Sequence, residues 1–254
     1  MEKYTRYHMN RIPEGTKAMI FAAGLGTRLK PFTERHPKAL APVNGKPLLQ
    51  RNIEYMSSYG IKDLIVNVHH FADQIIDFLQ SNKSFGLNID ISHEIEGPLE
   101  TGGGLQHAKW YFENSDKPFF VMNADILTNL DLQAMYDYHV TKKGIATLAV
   151  TKRNSSRNFL FDNDQLLTGW ENSLTGEQKI ARQANCMHKA AFTCVHVIEP
   201  RMIDIIRQEG KFSIIDAYLD LAKTEPIYVY DHTGDVVVDV GKPESIAKAE
   251  AHFK

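Results

Sequence analysis

Cysteine is scarce in this chain of 254 residues: only Cys186 and Cys194 occur. Neither forms a C-x-x-C pair or stands at metal-ligand spacing from a histidine, which removes disulfide scaffolds and zinc modules and favours a reducing, cytoplasmic setting. Long apolar runs are lacking too. Stretches such as 18–23 and 236–238 fall far short of the roughly 20 residues a membrane helix needs, so no membrane partner is expected. Neither sign of charge dominates: 31 acidic against 29 basic side chains leave a formal net charge of −2. Such a balance gives no broad footprint for nucleic acid, though it permits a local basic pocket for phosphates. No Pro, Gly or Ser-rich linker and no repeat of 20 to 50 residues interrupts the chain, so solenoids and propellers are excluded. The first 16 residues, MEKYTRYHMNRIPEGT, contain no apolar core of a secretory signal. They are expected to form an N-terminal arm, 1–16, whose Tyr4 and Tyr7 either pack on a partner subunit or remain disordered.

Beyond the arm, short β-rich runs alternate with amphipathic segments. The expected strands are 18–22, 64–68, 89–92, 119–122 and 146–150; the helices between them are 47–59, 72–79, 103–112 and 132–142. This is the pattern of an α/β fold, a Rossmann-like mostly parallel sheet flanked by helices. After residue 151 the texture changes. Residues 158–170 alternate around the turn-like Asp162-Asn163-Asp164 and 190–198 reads as another strand, predicting a smaller antiparallel flap. Helices near 201–207 and 214–221, strands at 227–230 and 236–240, and a last helix from Pro243 complete one expected domain, 17–254, in two parts of about 17–150 and 151–254.

Chemistry concentrates at a few loops. The first apolar run ends in Ala22-Ala23-Gly24-Leu25-Gly26-Thr27-Arg28-Leu29, where glycines let backbone N–H groups approach phosphates. Leu29 stands where a dinucleotide fingerprint wants a third glycine, and no G-K-[ST] occurs at Walker spacing. Alone, these glycines serve equally as a β-to-α turn without ligand. Arg28, Lys30, Arg35 and Lys38 come close behind, either as a clamp on transferring phosphates or as a solvated basic loop. Asp125 and Asp239 each follow a strand. Such carboxylates can hold magnesium, a hard ion that prefers oxygen, or act as turn and cap residues. Thr101-Gly102-Gly103-Gly104, between a strand and a helix, offers unobstructed backbone to a flat base edge, or a hinge. His69, His70 and His93 lack metal-ligand spacing and are expected to be surface or core histidines. The absence of G-x-S-x-G and of a partnered Cys weakens hydrolase readings.

The ordered set A-A-G-L-G-T-R-L, P-K-A-L-A-P-V-N-G-K-P-L, L-E-T-G-G-G, N-A-D and V-D-V-G-K-P-E resembles the sugar-1-phosphate nucleotidyltransferases. The short form with L-E-T-G-G-G is most similar to N-acetylmuramate-1-phosphate uridylyltransferases and short mannose-1-phosphate guanylyltransferases. The resemblance implies that Ala23, Gly24, Gly26 and Thr27 surround the nucleotide phosphates and that Arg28 and Lys38 act on the reacting and leaving phosphates. It implies further that Thr101, Gly102 and Gly103 face the base, that Asp125 and Asp239 hold magnesium, and that Asn154 and Arg157 lie on the sugar side. Partners would be a nucleoside triphosphate and a sugar 1-phosphate, in a monomer or homodimer without nucleic acid or membrane. Two positions depart from the pattern: Ala124 and Cys194 stand where glycine is usual. Other readings are a nucleotide-sugar sensor, opposed by the retained Lys38 and both aspartates, and a nicotinamide oxidoreductase, opposed by Leu29.

Overall fold

The apolar run KAMIF forms β1 (Lys17–Phe21), whose residues after Lys17 are all buried, as a central parallel strand covered on both faces requires. This computed structural model describes residues 12–254. The next loop is wound into three short 3-10 turns, Thr27–Leu29, Phe32–Glu34 and Lys38–Leu40, before the ribbon of β2 (Pro42–Val43) and β3 (Lys46–Pro47). Then come α1 (Leu48–Ser58), β4 (Asp63–Val68), α2 (Ala72–Ser81), β5 (Asn88–His93), α3 (Glu100–His107), α4 (Lys109–Phe112), β6 (Phe119–Asn123), β7 (Ile126–Thr128) and α5 (Leu132–Lys142). Asp131 caps α5 by accepting from the Ala134 N–H at 3.1 Å, and Lys143 ends the helix in the left-handed conformation.

The second half supplies β8 (Ala146–Thr151), β9 (Arg157–Phe161), β10 (Leu167–Asn172), β11 (Glu177–Ile180) and β12 (His188–Ile198). It ends with α6 (Arg201–Ile205), α7 (Ile214–Leu221), β13 (Ile227–Asp231), β14 (Val237–Asp239) and α8 (Pro243–His252). One sheet has the strand order β11-β10-β9-β12-β6-β1-β4-β5, with β8 pairing β12 and β13. Strands β6, β1, β4 and β5 run parallel, while β12 is antiparallel to β6, β8 and β9. The flap is therefore an extension of the central sheet: β12 is long enough to pair with the core at one end and with β9 at the other.

Strand alternation sorts the core into two layers. Met19 and Phe21 face one layer with Phe119, Val121 and Tyr218, while Ala18 and Ile20 face the other with Ile53, Phe120 and Met122. A smaller cluster of Leu29, Leu48, Leu127, Val238, Val240 and Ala249 seats α8 beside the β7–β14 ribbon. Two local expectations change. Pro47 precedes the first helical residue of α1 instead of lying inside the helix, and α3 starts at Glu100, so that Thr101 and Gly102 belong to the helix rather than to the connection before it. Ile12 and Thr16 are buried, so the end of the expected arm packs against the body; Tyr4 and Tyr7 lie outside the described residues.

Candidate active site

The carboxyl ends of β1, β4 and β6 open into a cavity of about 430 Å³, where an open α/β sheet places its ligand crevice. Its floor is knitted by backbone: the Ala22 N–H donates to Asn67 O, and the Ala124 N–H to Phe21 O, both at 2.9 Å. Ala23, Gly24, Gly26, Thr27, Arg28, Lys38, Thr101 and Asp125 all line it. Gly26 is left-handed at φ 64°, and a Cβ there would meet Lys38 and Thr33 at 2.9 Å, so both conformation and space demand glycine. Gly24 instead faces open space, leaving its backbone approachable.

Lys38 ion-pairs with Asp125 across the cavity, both side chains being largely buried. Asp239 reaches the same region because β14 pairs with β7 in a register that sets Asp239 opposite Ile126, and the Val240 N–H donates to Asp125 O at 2.9 Å. Asp239 Oδ1 is buried with no hydrogen-bond partner among the described residues. An orphaned carboxylate oxygen beside a second carboxylate fits a hard divalent cation. Because no group of three or more potential ligand residues occurs among the described residues, further ligands would come from phosphate oxygens and water, the usual situation for magnesium.

Asn67, Glu94, Pro98 and Lys211 also line the cavity, outside the quoted motifs. Glu94 is buried and accepts from Asn67 Nδ2 at 2.6 Å and the Leu99 N–H at 2.8 Å. A Cβ on Gly104 would come within 2.7 Å of its Oε1, so that glycine makes room for the carboxylate. The signal was present in the sequence: Glu94, like Asp125, comes just after a strand. Asn52 on α1, also buried, donates to Ala124 O at 3.0 Å and fixes the turn before Asp125. His69 Nδ1 donates to Glu94 O at 2.7 Å, a structural use that suits a histidine without metal-ligand spacing.

The glycines of α3 divide. Thr101 borders the cavity and its hydroxyl accepts from the Ile214 N–H at 3.1 Å, whereas Gly102 and Gly103 do not line it. Their N–H groups both donate to Phe212 O, and added Cβ atoms would meet Phe212 and Gly210 O at 2.2 Å. Those glycines let α3 press against the 210–213 segment.

A second cavity of about 790 Å³ adjoins the first, with Arg28 and Gly241 lining both. It takes in Asp239, Lys152, Arg153 and Asn154, and the cavity face of α8; Arg157, exposed at the start of β9, lines neither cavity. Cys194 lies in the irregular stretch of β12, where pairing with β8 shifts register between Phe192 and His196, and it holds φ 57° without being glycine. Burial, reinforced by the charges of Asp125 and Asp239, pushes its thiol up to about 12.

The chain is 28% identical to the N-acetylmuramate alpha-1-phosphate uridylyltransferase of Neisseria meningitidis over 92% of its own length and 97% of that protein's. It is 25% identical to the mannose-1-phosphate guanyltransferase of Yarrowia lipolytica over 90% of its length, but spans only 61% of that relative. Among solved structures it is similar to HddC of Yersinia pseudotuberculosis complexed with GMP-PN, with TM-score 0.75, 26% identity, and coverage of 94% of this chain and 100% of that one. Residues 17–159 match the nucleotidyl transferase family model, and the chain belongs to that family.

Proposed function

We propose that the protein transfers a nucleotidyl group from a nucleoside triphosphate to a sugar 1-phosphate, yielding a nucleoside-diphosphate sugar and pyrophosphate. The observation that carries this reading is the pair of cavities in series, joined at Arg28 and Gly241, with Lys38, Asp125 and Asp239 near the junction. An oxygen of the sugar phosphate attacks the α-phosphorus; the new P–O bond forms as the bond from Pα to the bridging oxygen of pyrophosphate breaks. No general base is needed, because a phosphate monoester, with a second pKa of about 6, is largely dianionic at neutral pH.

Catalysis then reduces to alignment and charge neutralisation. The turn at Gly24 and Gly26 supplies N–H donors, and Lys38 meets charge that grows on the departing pyrophosphate. Arg28 faces both substrates. Asp125 and Asp239 would hold magnesium, which when bound neutralises phosphate charge and orients the triphosphate. Residues 17–150 act mainly on the nucleotide and 151–254 on the sugar, in one catalytic unit. Asn154 contributes to the sugar side from the second cavity, as does Arg157 if β9 approaches bound sugar. A triphosphate substrate and two unpaired cysteines suit the cytoplasm, and among the described residues no helix is long and apolar enough to cross a membrane.

For the substrate pair, UTP with N-acetylmuramate 1-phosphate is the preferred reading, supported by the Neisseria relative of nearly equal length. GTP with mannose 1-phosphate or another hexose or heptose 1-phosphate is favoured by one observation, the buried Glu94 carboxylate, since guanine presents two N–H donors where uracil presents one. Pyrophosphate release across four nucleoside triphosphates and a panel of sugar 1-phosphates tests both. A hundredfold larger kcat/KM for GTP with mannose 1-phosphate would overturn the pair, and release with no combination would overturn the reaction class.

A further inference from the structure

The second cavity is more cationic than one phosphate monoester requires. Five Lys and Arg residues line it against two aspartates, Asp235 and Asp239, a formal surplus of 5 − 2 = 3. Asp235 is hydrogen-bonded to His232 at 3.3 Å, and Lys152 lies 3.8 Å from Asp231 outside the cavity lining. Arg28, Arg153, Lys242 and Lys248 are within ion-pair distance of no carboxylate among the described residues. Such a cluster of like charges is held together at an energetic cost unless an anion joins it.

The cations have two origins. Arg28 lines both cavities, and the charge of Arg153 reaches Cys194 together with those of Lys38, Asp125 and Asp239, which sets both arginines on the side where the reacting phosphate belongs. Lys242 and Lys248 come from the start and the middle of α8. On that helix Ser245, Lys248 and His252, spaced by three and four residues, line the cavity, while Ile246, Ala249 and Phe253 at the same spacing enter the small core cluster. The helix is fixed in this rotation at its far end, where Asn44 Nδ2 donates to Glu250 O at 2.8 Å and Phe253 O at 3.0 Å, and Arg51 Nη1 donates to Lys254 O at 3.3 Å. Lys248 is therefore delivered to the cavity by the packing of its neighbours and not by an ion pair of its own.

We infer that α8 builds an anion subsite, centred on Lys242 and Lys248, for a second negative group on the acceptor, so that the acceptor class is a sugar 1-phosphate that also bears a carboxylate or a second phosphate ester. This rests on the proposed nucleotidyl transfer and deepens it, because the 1-phosphate is assigned to the Arg28 and Arg153 side. Ser245 adds a hydroxyl donor, and His252 a ring N–H.

Matched acceptors isolate the second group. N-acetylmuramate 1-phosphate and N-acetylglucosamine 1-phosphate differ by the 3-O-lactyl ether that carries the carboxylate, so salt dependence separates its charge from its bulk, and glucose 1,6-bisphosphate and glucose 1-phosphate differ only by the second phosphate. With UTP and with GTP, the wild type is expected to favour the doubly anionic member of at least one pair by about tenfold in kcat/KM. That ratio should shrink as salt is raised, since these lysines are exposed. Lys248→Ala and Lys242→Ala should each bring the ratio down by about fivefold, whereas Lys248→Arg should retain most of it. Which pair shows the preference identifies carboxylate or phosphate. Turnover with both members at ratios within twofold, unmoved by salt or by Lys248→Ala, would overturn the subsite and leave nucleotidyl transfer standing. If no acceptor is turned over, the reaction reading fails, and calorimetric titration of the same acceptor pairs into wild type and Lys248→Ala still decides the subsite: equal affinities within each pair reject it.

Discussion

Asp125 and Asp239 are chemically identical side chains in opposite predicaments. Lys38 neutralises Asp125, while Asp239 keeps one buried oxygen without a hydrogen-bond partner among the described residues. Removing charge should therefore act in opposite directions on the ligand-free protein. Asp239→Asn removes charge from a desolvated oxygen that accepts no hydrogen bond and is expected to raise stability by up to about 1 kcal/mol. Asp125→Asn leaves Lys38, whose side chain is only 12% exposed, without its counter-ion and is expected to cost roughly 1–3 kcal/mol. Both should lower turnover on the order of 100-fold, as loss of one charge-stabilising group does in a polar transition state. Thermal unfolding without metal, paired with pyrophosphate release at saturating magnesium, checks the contrast; melting shifts of the same sign in both variants would refute it. The residue scale is also where sequence and structure part most visibly. The chemical type of Asp125 and Lys38 could be read from order and spacing, but their mutual pairing needed two loops 87 positions apart to meet.

At the scale of elements, the strands of the parallel half lie within a residue or two of where alternation put them, because a strand buried on both faces must be almost wholly apolar. The elements that escaped the pattern are short or polar: the 3-10 turns of the glycine loop, the β2–β3 ribbon, and β11, exposed throughout. Helix α3 shows why glycine is hard to interpret from sequence. One tract of three glycines serves packing at Gly102 and Gly103, and accommodation of a buried carboxylate at Gly104. Gly103→Ala is accordingly expected to force α3 away from Gly210 and cost about 1–3 kcal/mol, the usual range for overpacking. Gly24→Ala, where nothing lies within 4 Å, should leave stability within about 0.5 kcal/mol. Urea unfolding of the two variants distinguishes them, and equal midpoints would contradict the assigned contacts.

Over the whole molecule, the antiparallel extension and the parallel half share β12, so the strand ends of the first cavity and Thr151 of the second lie on one continuous sheet, while the β7–β14 ribbon and α8 complete the second. That strand also buries an ionisable group that lines neither cavity. His196 lies on β12 against Tyr218 of α7, and burial lowers its pKa to about 3. The folded state thus keeps the imidazole neutral while the unfolded chain protonates it below its ordinary value near 6.5. Unfolded chains then bind more protons, so stability is complete above about pH 6.5 and falls as the pH drops toward 3, by roughly 2 kcal/mol at pH 5 from this group alone. His232, also lowered by burial, adds in the same direction. Urea midpoints at pH 7 and pH 5 measure the loss, and His196→Gln should flatten the dependence even if it destabilises the fold at both pH values. A wild-type midpoint equal at the two pH values would be incompatible with a neutral buried His196.

The α/β class, the parallel core and the chemical inventory of the glycine loop, Lys38, Asp125 and Asp239 are legible in residue order. These are local matters: strand burial writes itself as apolar runs, and loop chemistry as ordered motifs within a few residues. Tertiary structure alone decided what those groups do to one another. It paired Lys38 with Asp125, turned Gly102 and Gly103 inward, brought Glu94 beside Asn67, and rotated α8 so that Lys242 and Lys248 share a cavity with Arg28. Each of these depends on register and helix rotation, set by the summed packing of residues distant in the chain, and a local pattern contains no information about that sum.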